Sequence, residues 1–116
     1  MIEVAIKNYL ETELKNVPVL LEFPQEVPDE FVLLIKIDGG RKDYVSAATF
    51  RLEIRAHSLY GASVLAEKVK DAMFNAISLH EVSSSAIGGE RQTSDTANNL
   101  YRYDLTYNIY YYTQED

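Results

Sequence analysis

The side chains best suited to bind a metal or to act as a general base are the two histidines, His57 and His80. They flank one predicted helix, so they could lie about 30 Å apart at a rise of about 1.5 Å per residue. A shared metal site would also need carboxylates close to both imidazole rings. The sequence therefore favours histidines at the surface or at helix ends, and we predict no metal site.

Motifs for nucleophilic catalysis and phosphate binding are also missing from the sequence. The serine run 83–85 lies outside the Gly-x-Ser-x-Gly pattern that exposes a nucleophile. The pairs Gly39–Gly40 and Gly88–Gly89 lack the lysine and the spacing of phosphate-binding loops. Neighbouring carboxylates such as Asp29 and Glu30 show no sign of a protected pocket that would separate their pKa values. We predict no catalytic residue, no cofactor and no enzymatic activity.

Length and composition predict a single domain over residues 1–116, because a chain of this size holds one core. The chain contains no cysteine, which excludes disulfides, thiolate zinc sites and thiol nucleophiles. The sequence shows no run of about 20 apolar residues and no basic segment ahead of an apolar stretch at its start. We therefore predict neither a membrane segment nor a signal peptide.

The formal net charge of −7 disfavours nucleic-acid binding as the main function, because an acidic surface repels phosphates. The arginines do not cluster in the sequence but alternate with carboxylates. A run of tyrosines could form a base-stacking platform, but such platforms lie in a basic groove. A sheet face covered by helices or by another subunit is the better interpretation of the tyrosines.

Two helices are predicted from apolar residues at helical spacing. The first covers residues 2–15 and ends before Pro18. The second begins at Ser58 or Tyr60 and extends to about Leu79. Its apolar stripe is rich in alanine, so it can approach a sheet closely.

Strands are predicted at residues 18–23, 31–37, 45–57 and 100–113, with a weaker candidate at 81–87. The resulting order, α-β-β-β-α-β-β, predicts an α+β fold in which two helices pack on a mostly antiparallel sheet. A tight turn is expected at residues 38–41, around the two adjacent glycines. Residues 88–99 contain almost no apolar side chain, and we predict a long mobile loop there.

Most of the nine tyrosines lie in the last predicted strand. Consecutive residues of a strand face opposite sides, so Tyr110, Tyr111 and Tyr112 place aromatic rings on both faces of the strand end. A small monomer has few ways to cover both faces, which indicates an interface with another subunit. The predicted interface residues are Tyr110, Tyr111, Tyr112, Arg51, Arg55, Arg91 and Asp95.

One arrangement of motifs extends over nearly the whole chain. A helix and a Pro-Val strand precede Glu22-Phe23-Pro24 and a proline-rich loop, and an apolar strand then ends in Gly39-Gly40. An Ala-x-x-Leu-Ala-x-x-Val helix follows at 62–69, and a glycine-containing segment leads into the last strand at 88–112. This layout resembles the tail-terminator and head–tail joining proteins of long-tailed bacteriophages, a group that includes tail-completion and minor capsid proteins.

The resemblance implies a ring-shaped homo-oligomer, usually a hexamer, in the neck region of a virion or prophage particle made in the bacterial cytoplasm. Such a ring caps the tail tube and joins it to the head connector or stopper protein. The loop at 88–99 would become ordered on assembly. DNA would pass through an acidic lumen without specific binding.

Two alternatives stay open at this point. A neck adaptor or minor capsid protein of the same particle would share the fold and differ in its partner. A small cytoplasmic ligand-binding or enzymatic domain would instead need a concave apolar pocket with converging polar groups.

Overall fold

A computed structural model describes residues 2–42, 45–75, 82–97 and 99–112. The elements follow in the order α1 (Ile2–Leu14), β1 (Val19–Leu20), β2 (Glu30–Lys42), β3 (Val45–Ala56), α2 (Leu59–Phe74), β4 (Val82–Asp95) and β5 (Leu100–Tyr112). This order confirms the predicted α+β fold with two helices and a mostly antiparallel sheet. Neither described helix is long and apolar enough to cross a membrane.

The five strands form one sheet in the order β1-β2-β3-β5-β4. The two-residue β1 is parallel to β2, and the four long strands pair antiparallel. β3 therefore lies at the centre, and β5 is inserted between β3 and β4. The prediction of a strand over 18–23 is confirmed only at Val19–Leu20.

Both helices pack on the same face of the sheet. Apolar residues at helical spacing bury one side of each helix, as the sequence predicts. The phenol of Tyr9 links the two helices by donating a hydrogen bond of 2.6 Å to the carbonyl oxygen of Ala72. The main core consists of Ile2, Ile6, Leu10, Leu14, Val17, Val19, Val32, Leu34, Ala48, Phe50, Leu52, Ile54, Leu65, Val69, Ala72, Met73, Leu105, Tyr107 and Ile109.

The end of α1 is fastened to β1 by Glu11. One carboxylate oxygen accepts a hydrogen bond of 2.8 Å from Lys7 Nζ, and the other accepts one of 3.3 Å from the Val19 amide. The hydrogen bond from Lys7 lowers the pKa of Glu11 below its ordinary value of 4.5, against a smaller opposing effect of burial. Lys15 and Asn16 then adopt positive φ angles of 52° and 51°, which reverse the chain between helix and strand.

The start of α2 is set by Ser58, whose Oγ accepts a hydrogen bond of 2.9 Å from the Gly61 amide. Such a cap satisfies an amide that has no partner within the helix. The helix therefore begins at Leu59, between the two predicted starts. Its described part ends at Phe74, and the predicted extension to Leu79 falls mostly outside the described residues.

A charged contact joins α2 to β4. Lys70 Nζ lies 2.7 Å from a carboxylate oxygen of Glu90 and 2.8 Å from one of Glu67. The hydrogen bonds that Lys70 donates to Glu67 and Glu90 raise its pKa. Lys70 therefore stays charged at neutral pH and holds the helix over the edge strand.

The predicted loop at 88–99 is wrong for most of its length. Residues up to Asp95 belong to β4, and the register pairs Gly89 with Thr106 and Asp95 with Leu100. The predicted weak strand at 81–87 is the first part of the same strand. The chain turns only after Asp95, where Asn99 has a positive φ of 58°. An edge strand held by backbone hydrogen bonds can expose most of its side chains, so it needs no apolar alternation.

The predicted turn at residues 38–41 is also wrong. β2 continues to Lys42, and Gly39 and Gly40 pair with Ala48 and Ala47. The register shifts between Lys36 and Asp38, which marks a β-bulge. The glycines therefore belong to an irregular strand, and the connection to β3 falls outside the described residues.

We expect Phe50→Ala to lower the free energy of unfolding by about 3–5 kcal/mol, because it leaves a cavity between the sheet and the helices. Phe74→Ala removes the same side chain from an 84% exposed position and should change the free energy by less than about 0.5 kcal/mol. Urea unfolding of the two variants gives both values. Equal losses would show that Phe50 is not part of the core.

Glu11→Gln should lower the unfolding free energy by about 0.5–1 kcal/mol at pH 7, a small value because the carboxylate is partly exposed. Since the folded pKa lies below 4.5, the contribution of the carboxylate is complete above pH 4.5 and declines as the pH falls further. Urea unfolding of both proteins from pH 7 to pH 3 tests this, with Glu13→Gln as the control. A difference that grows toward acid pH would contradict the prediction.

Candidate interaction surface

The face of the sheet opposite the helices, called here the uncovered face, carries a different set of side chains. The register defines three rows across it, because paired residues point to the same side. These rows are Phe31–Arg55–Arg102–Thr93, Leu33–Glu53–Asp104–Arg91 and Ile35–Arg51–Thr106–Gly89. Charged residues lie in the middle of the face, and apolar residues lie on β2.

Glu53 is the centre of this charged group. Its Oε1 accepts a hydrogen bond of 2.7 Å from Arg55 Nη1. Its Oε2 accepts hydrogen bonds of 2.8 Å from Arg51 Nε and 3.1 Å from Arg102 Nη2. Only 3% of Glu53 is exposed, although it lies on the face without helices. A buried carboxylate needs this amount of hydrogen bonding, because it has lost its hydration.

Arg102 extends the group to a second carboxylate. Its Nε donates a hydrogen bond of 2.6 Å to Asp104 Oδ1, and its Nη2 lies 2.9 Å from Asp104 Oδ2. Two parallel hydrogen bonds of this kind fix the plane of the guanidinium group. Arg102 therefore connects the two acidic residues, Glu53 and Asp104, and joins β3 to β5 through side chains as well as through the backbone.

The apolar end of the uncovered face protects the charges beside it. Phe31, Leu33 and Leu100 form a second buried cluster with Leu20 and Ile35 at its side. Phe23, from the segment between β1 and β2, packs edge-on against Phe31 with ring centres 5.8 Å apart. The guanidinium of Arg55 lies 5.2 Å from the centre of the Phe23 ring and 5.8 Å from that of Phe31. These rings shield the Glu53–Arg55 pair from water.

The other end of the face carries Tyr110, Thr49 and Asn108. Thr49 Oγ1 donates a hydrogen bond of 2.9 Å to Asn108 Oδ1 across the strands. Beside them lies a shallow depression of about 240 Å³, lined by Asp38, Gly39, Gly40, Ala47, Ala48, Thr49, Asn108, Ile109 and Tyr110. Small residues on β2 and β3 leave this space, and Tyr110 stands next to it with 47% of its surface exposed.

The structure places most of the predicted interface residues on this one face. Arg51 and Arg55 meet at the same carboxylate, and Arg91 lies opposite Asp104 in the register. Arg91 is exposed, whereas Arg55 is buried and stabilises the subunit itself. The Asp95 backbone pairs with Leu100, and its side chain lies outside the described part of the chain.

The three consecutive tyrosines divide as their alternation predicts. Tyr110 points to the uncovered face, because it pairs with Ala47. Tyr111 packs against the main core on the helix side, so it is partly covered within the subunit. The Tyr112 side chain is not among those that the structure describes. Of the two described rings, Tyr110 is the one exposed to a partner.

Sequence reasoning missed Glu53, Arg102 and Asp104. A signal was present, since Arg51-x-Glu53-x-Arg55 and Arg102-x-Asp104 place opposite charges on one side of two strands. This charge pattern did not identify a site, because the order of the strands in the sheet could not be derived from the sequence. Only the pairing of β3 with β5 brings the two motifs together.

No three described His, Asp or Glu side chains lie close enough together to hold a metal ion. His57 Nε2 lies 3.4 Å from Asp29 Oδ1, with both side chains largely exposed. His80 lies outside the described residues. The charged side chains described on the uncovered face pair with one another.

Comparison with known proteins does not assign this chain to a group. No model of a known protein family matches it, and no curated protein matches its sequence. The resemblance to phage tail-terminator and head–tail joining proteins therefore stays a prediction.

Glu53→Ala should lower the unfolding free energy by about 2–4 kcal/mol, because it leaves the buried guanidinium of Arg55 without its carboxylate. Glu67→Ala is the matched control, since it breaks a solvated pair with Lys70 and should cost less than about 1 kcal/mol. Urea unfolding at neutral pH measures both. A loss for Glu53→Ala as small as the control would show that the arginines do not depend on Glu53.

Proposed function

We propose that this chain is a structural assembly protein of a tailed bacteriophage or prophage, and that it forms the ring that terminates the tail tube at the head–tail junction. Its partners would be further copies of itself, the tail-tube protein and the head connector or stopper protein. In this role the protein holds surfaces together and carries out no chemical step.

The observation that carries the proposal is that both described helices cover one face of the sheet, while the other face carries no described helix and exposes Tyr110, Asn108 and Arg91. That face has its own buried charge network and a small apolar cluster, so it is an ordered surface without a second layer. Tyr110 stands exposed at one end of it, and Arg91 is exposed near the other. Exposed tyrosine and arginine are the side chains most enriched at protein interfaces.

Charge supports the same role. The three rows of the uncovered face carry four arginines, Arg51, Arg55, Arg91 and Arg102, against two carboxylates, Glu53 and Asp104, so this face has a net charge of +2 and the acidic charge of the chain lies elsewhere. The chain as a whole has a net charge of −7. A ring of such subunits would repel the phosphates of DNA and let the genome slide through.

The described depressions support an assembly role over ligand binding. The depression beside Tyr110 is open and floored by small residues. A second one of about 360 Å³ lies between the ends of the two helices and is lined by Glu13, Leu14, Lys15, Lys68, Asp71, Ala72 and Asn75. Both expose solvated polar groups, whereas small-molecule sites combine an apolar wall with a few converging polar groups.

The test is to polymerise a tail-tube protein, sought among the products of the neighbouring genes, with and without the purified chain. Wild-type protein should bind one end of the tubes and stop their growth, which electron microscopy measures as a shorter and narrower length distribution. Pull-downs with the tube protein and with the connector protein distinguish the two neck roles. Binding to the connector alone would indicate a neck adaptor, and binding to neither would overturn the proposal.

Tyr110→Ser should weaken tube capping at least tenfold in the concentration required, because it removes an exposed aromatic side chain from the uncovered face. Tyr60→Ser is the matched control, since Tyr60 is 81% exposed at the start of α2, on the other side of the sheet. Both variants should unfold within about 0.5 kcal/mol of wild type. Equal capping by the two variants would remove the uncovered face from the contact.

A further inference from the structure

Both edges of the sheet keep backbone groups without a strand partner among the described residues. On one side lies the outer edge of β4, which pairs only with β5. Its 14 residues contain no lysine and no proline, and both of its register shifts lie before Gly89, so the stretch from Gly89 to Asp95 pairs regularly. Residues 88–92 are all exposed there. Such an edge is a template for another strand.

On the other side β2 is only partly covered. β1 pairs with Val32 and Leu33, and the described residues place no strand beside β2 from Ile35 to Lys42. Ile37 lies in this stretch with 47% of its surface exposed. The short β1 therefore blocks one end of the β2 edge and leaves the other end available.

Strand direction makes the two edges compatible. The four long strands β2, β3, β5 and β4 alternate in direction across the sheet. The two edge strands therefore run antiparallel to each other. A second copy in the same orientation would place its β2 antiparallel to the first copy's β4, and the sheet would continue with unbroken alternation.

Charge favours this pairing over a pairing of two β4 edges. Residues 35–42 carry three cationic residues and one anionic one, a net charge of +2: Lys36, Arg41, Lys42 and Asp38. β4 carries Glu90, Arg91 and Asp95, a net charge of −1. Two β4 strands would bring like net charges together, whereas β4 beside β2 brings opposite ones together.

We infer that copies of this chain join edge to edge, with the β4 edge of one subunit adding to the β2 edge of the next. A contact between two different edges is head-to-tail, so it repeats from copy to copy, and it closes into a ring when the rotation between copies divides a full turn. The inference rests on the proposed function and names the contact that builds the ring. The uncovered face stays free for the tube or the connector.

The hydrogen bonds identify backbone amides that face the edges. The Val32 amide donates a hydrogen bond of 3.0 Å to the Pro18 carbonyl oxygen, away from β3. Amides alternate in direction along a strand, so the Lys36 amide also points away from β3. Ile54 lies opposite Val32 on β3, so its amide points away from β2 and toward Tyr103 on β5. The amide of the neighbouring Arg102 therefore points toward Thr93 on β4. The next amide along β4, that of Gln92, then points away from β5. Proline at either position removes an edge donor and spares the internal sheet.

The experiment compares Lys36→Pro and Gln92→Pro, alone and mixed, by native mass spectrometry and light scattering. Wild type should form rings, and each proline variant alone should be monomeric. An equimolar mixture should form a one-to-one dimer and nothing larger, because each variant keeps one intact edge. Lys36→Ala and Gln92→Ala keep the amide and should form rings. Circular dichroism establishes that each variant is folded.

Each other outcome has a defined meaning. Dimers of Lys36→Pro alone would indicate pairing of two β4 edges and overturn the inference. Rings that persist in both folded proline variants would overturn it as well and leave the terminator proposal standing. Wild type that stays monomeric also overturns it. Tubes that wild type fails to cap would overturn the terminator proposal, whichever edges pair.

A second pair of variants decides the question if a proline variant fails to fold. The chain has no cysteine, and a Cβ added at Gly40 or Gly89 meets nothing within 4 Å. Gly40→Cys and isotope-labelled Gly89→Cys are mixed, assembled and treated with a bismaleimide. Cross-linked pairs of one labelled and one unlabelled chain should predominate. Predominant homodimers of Gly89→Cys, or no cross-linking, would overturn the inference.

Discussion

The shared carboxylate of Glu53 is the interaction on which the architecture depends. A sheet with helices on one side can leave its other side to water, but this chain buries the middle of that side with charges instead of a second layer. Three guanidinium groups contact one carboxylate. The cost of burying Glu53 is offset because both of its carboxylate oxygens accept hydrogen bonds from arginines.

On this face, some residues are buried and contribute to stability, and others stay accessible. Arg55 and Glu53 are buried and hold β3 in place, whereas Arg91 and Tyr110 remain accessible. The phenylalanines at the β1 side lower the local exposure to water and strengthen the pairs beside them. In the proposed assembly role, a partner would meet a surface whose shape is fixed before binding, which would lower the entropic cost of association.

Much of the fold follows from the sequence, and the reasons for the exceptions are physical. Helix α1 and strands β3 and β5 have one apolar side each, so their periodicity shows directly which side faces the main core. β4 exposes much of its length and is held by backbone hydrogen bonds, which leave no pattern in the side chains. Gly39 and Gly40 are typical of a turn, but in the structure they follow a bulge in β2. From the sequence, Arg51, Arg55, Arg91 and Tyr110 were identified as site residues. The grouping around Glu53 was missed, because it depends on which strands are neighbours in the sheet.

The insertion of β5 between β3 and β4 has a consequence for biosynthesis. β3 has only one neighbour until β5 has been made, so the half-built sheet exposes one edge of β3 and the inner edge of β4. Contacts between segments distant in sequence form slowly, and unpaired strands are open to wrong partners meanwhile. Premature association of nascent copies would therefore compete with correct folding. A chaperone that shields these strands during translation would raise the yield of correctly folded subunits. It would not change the structure of the finished protein.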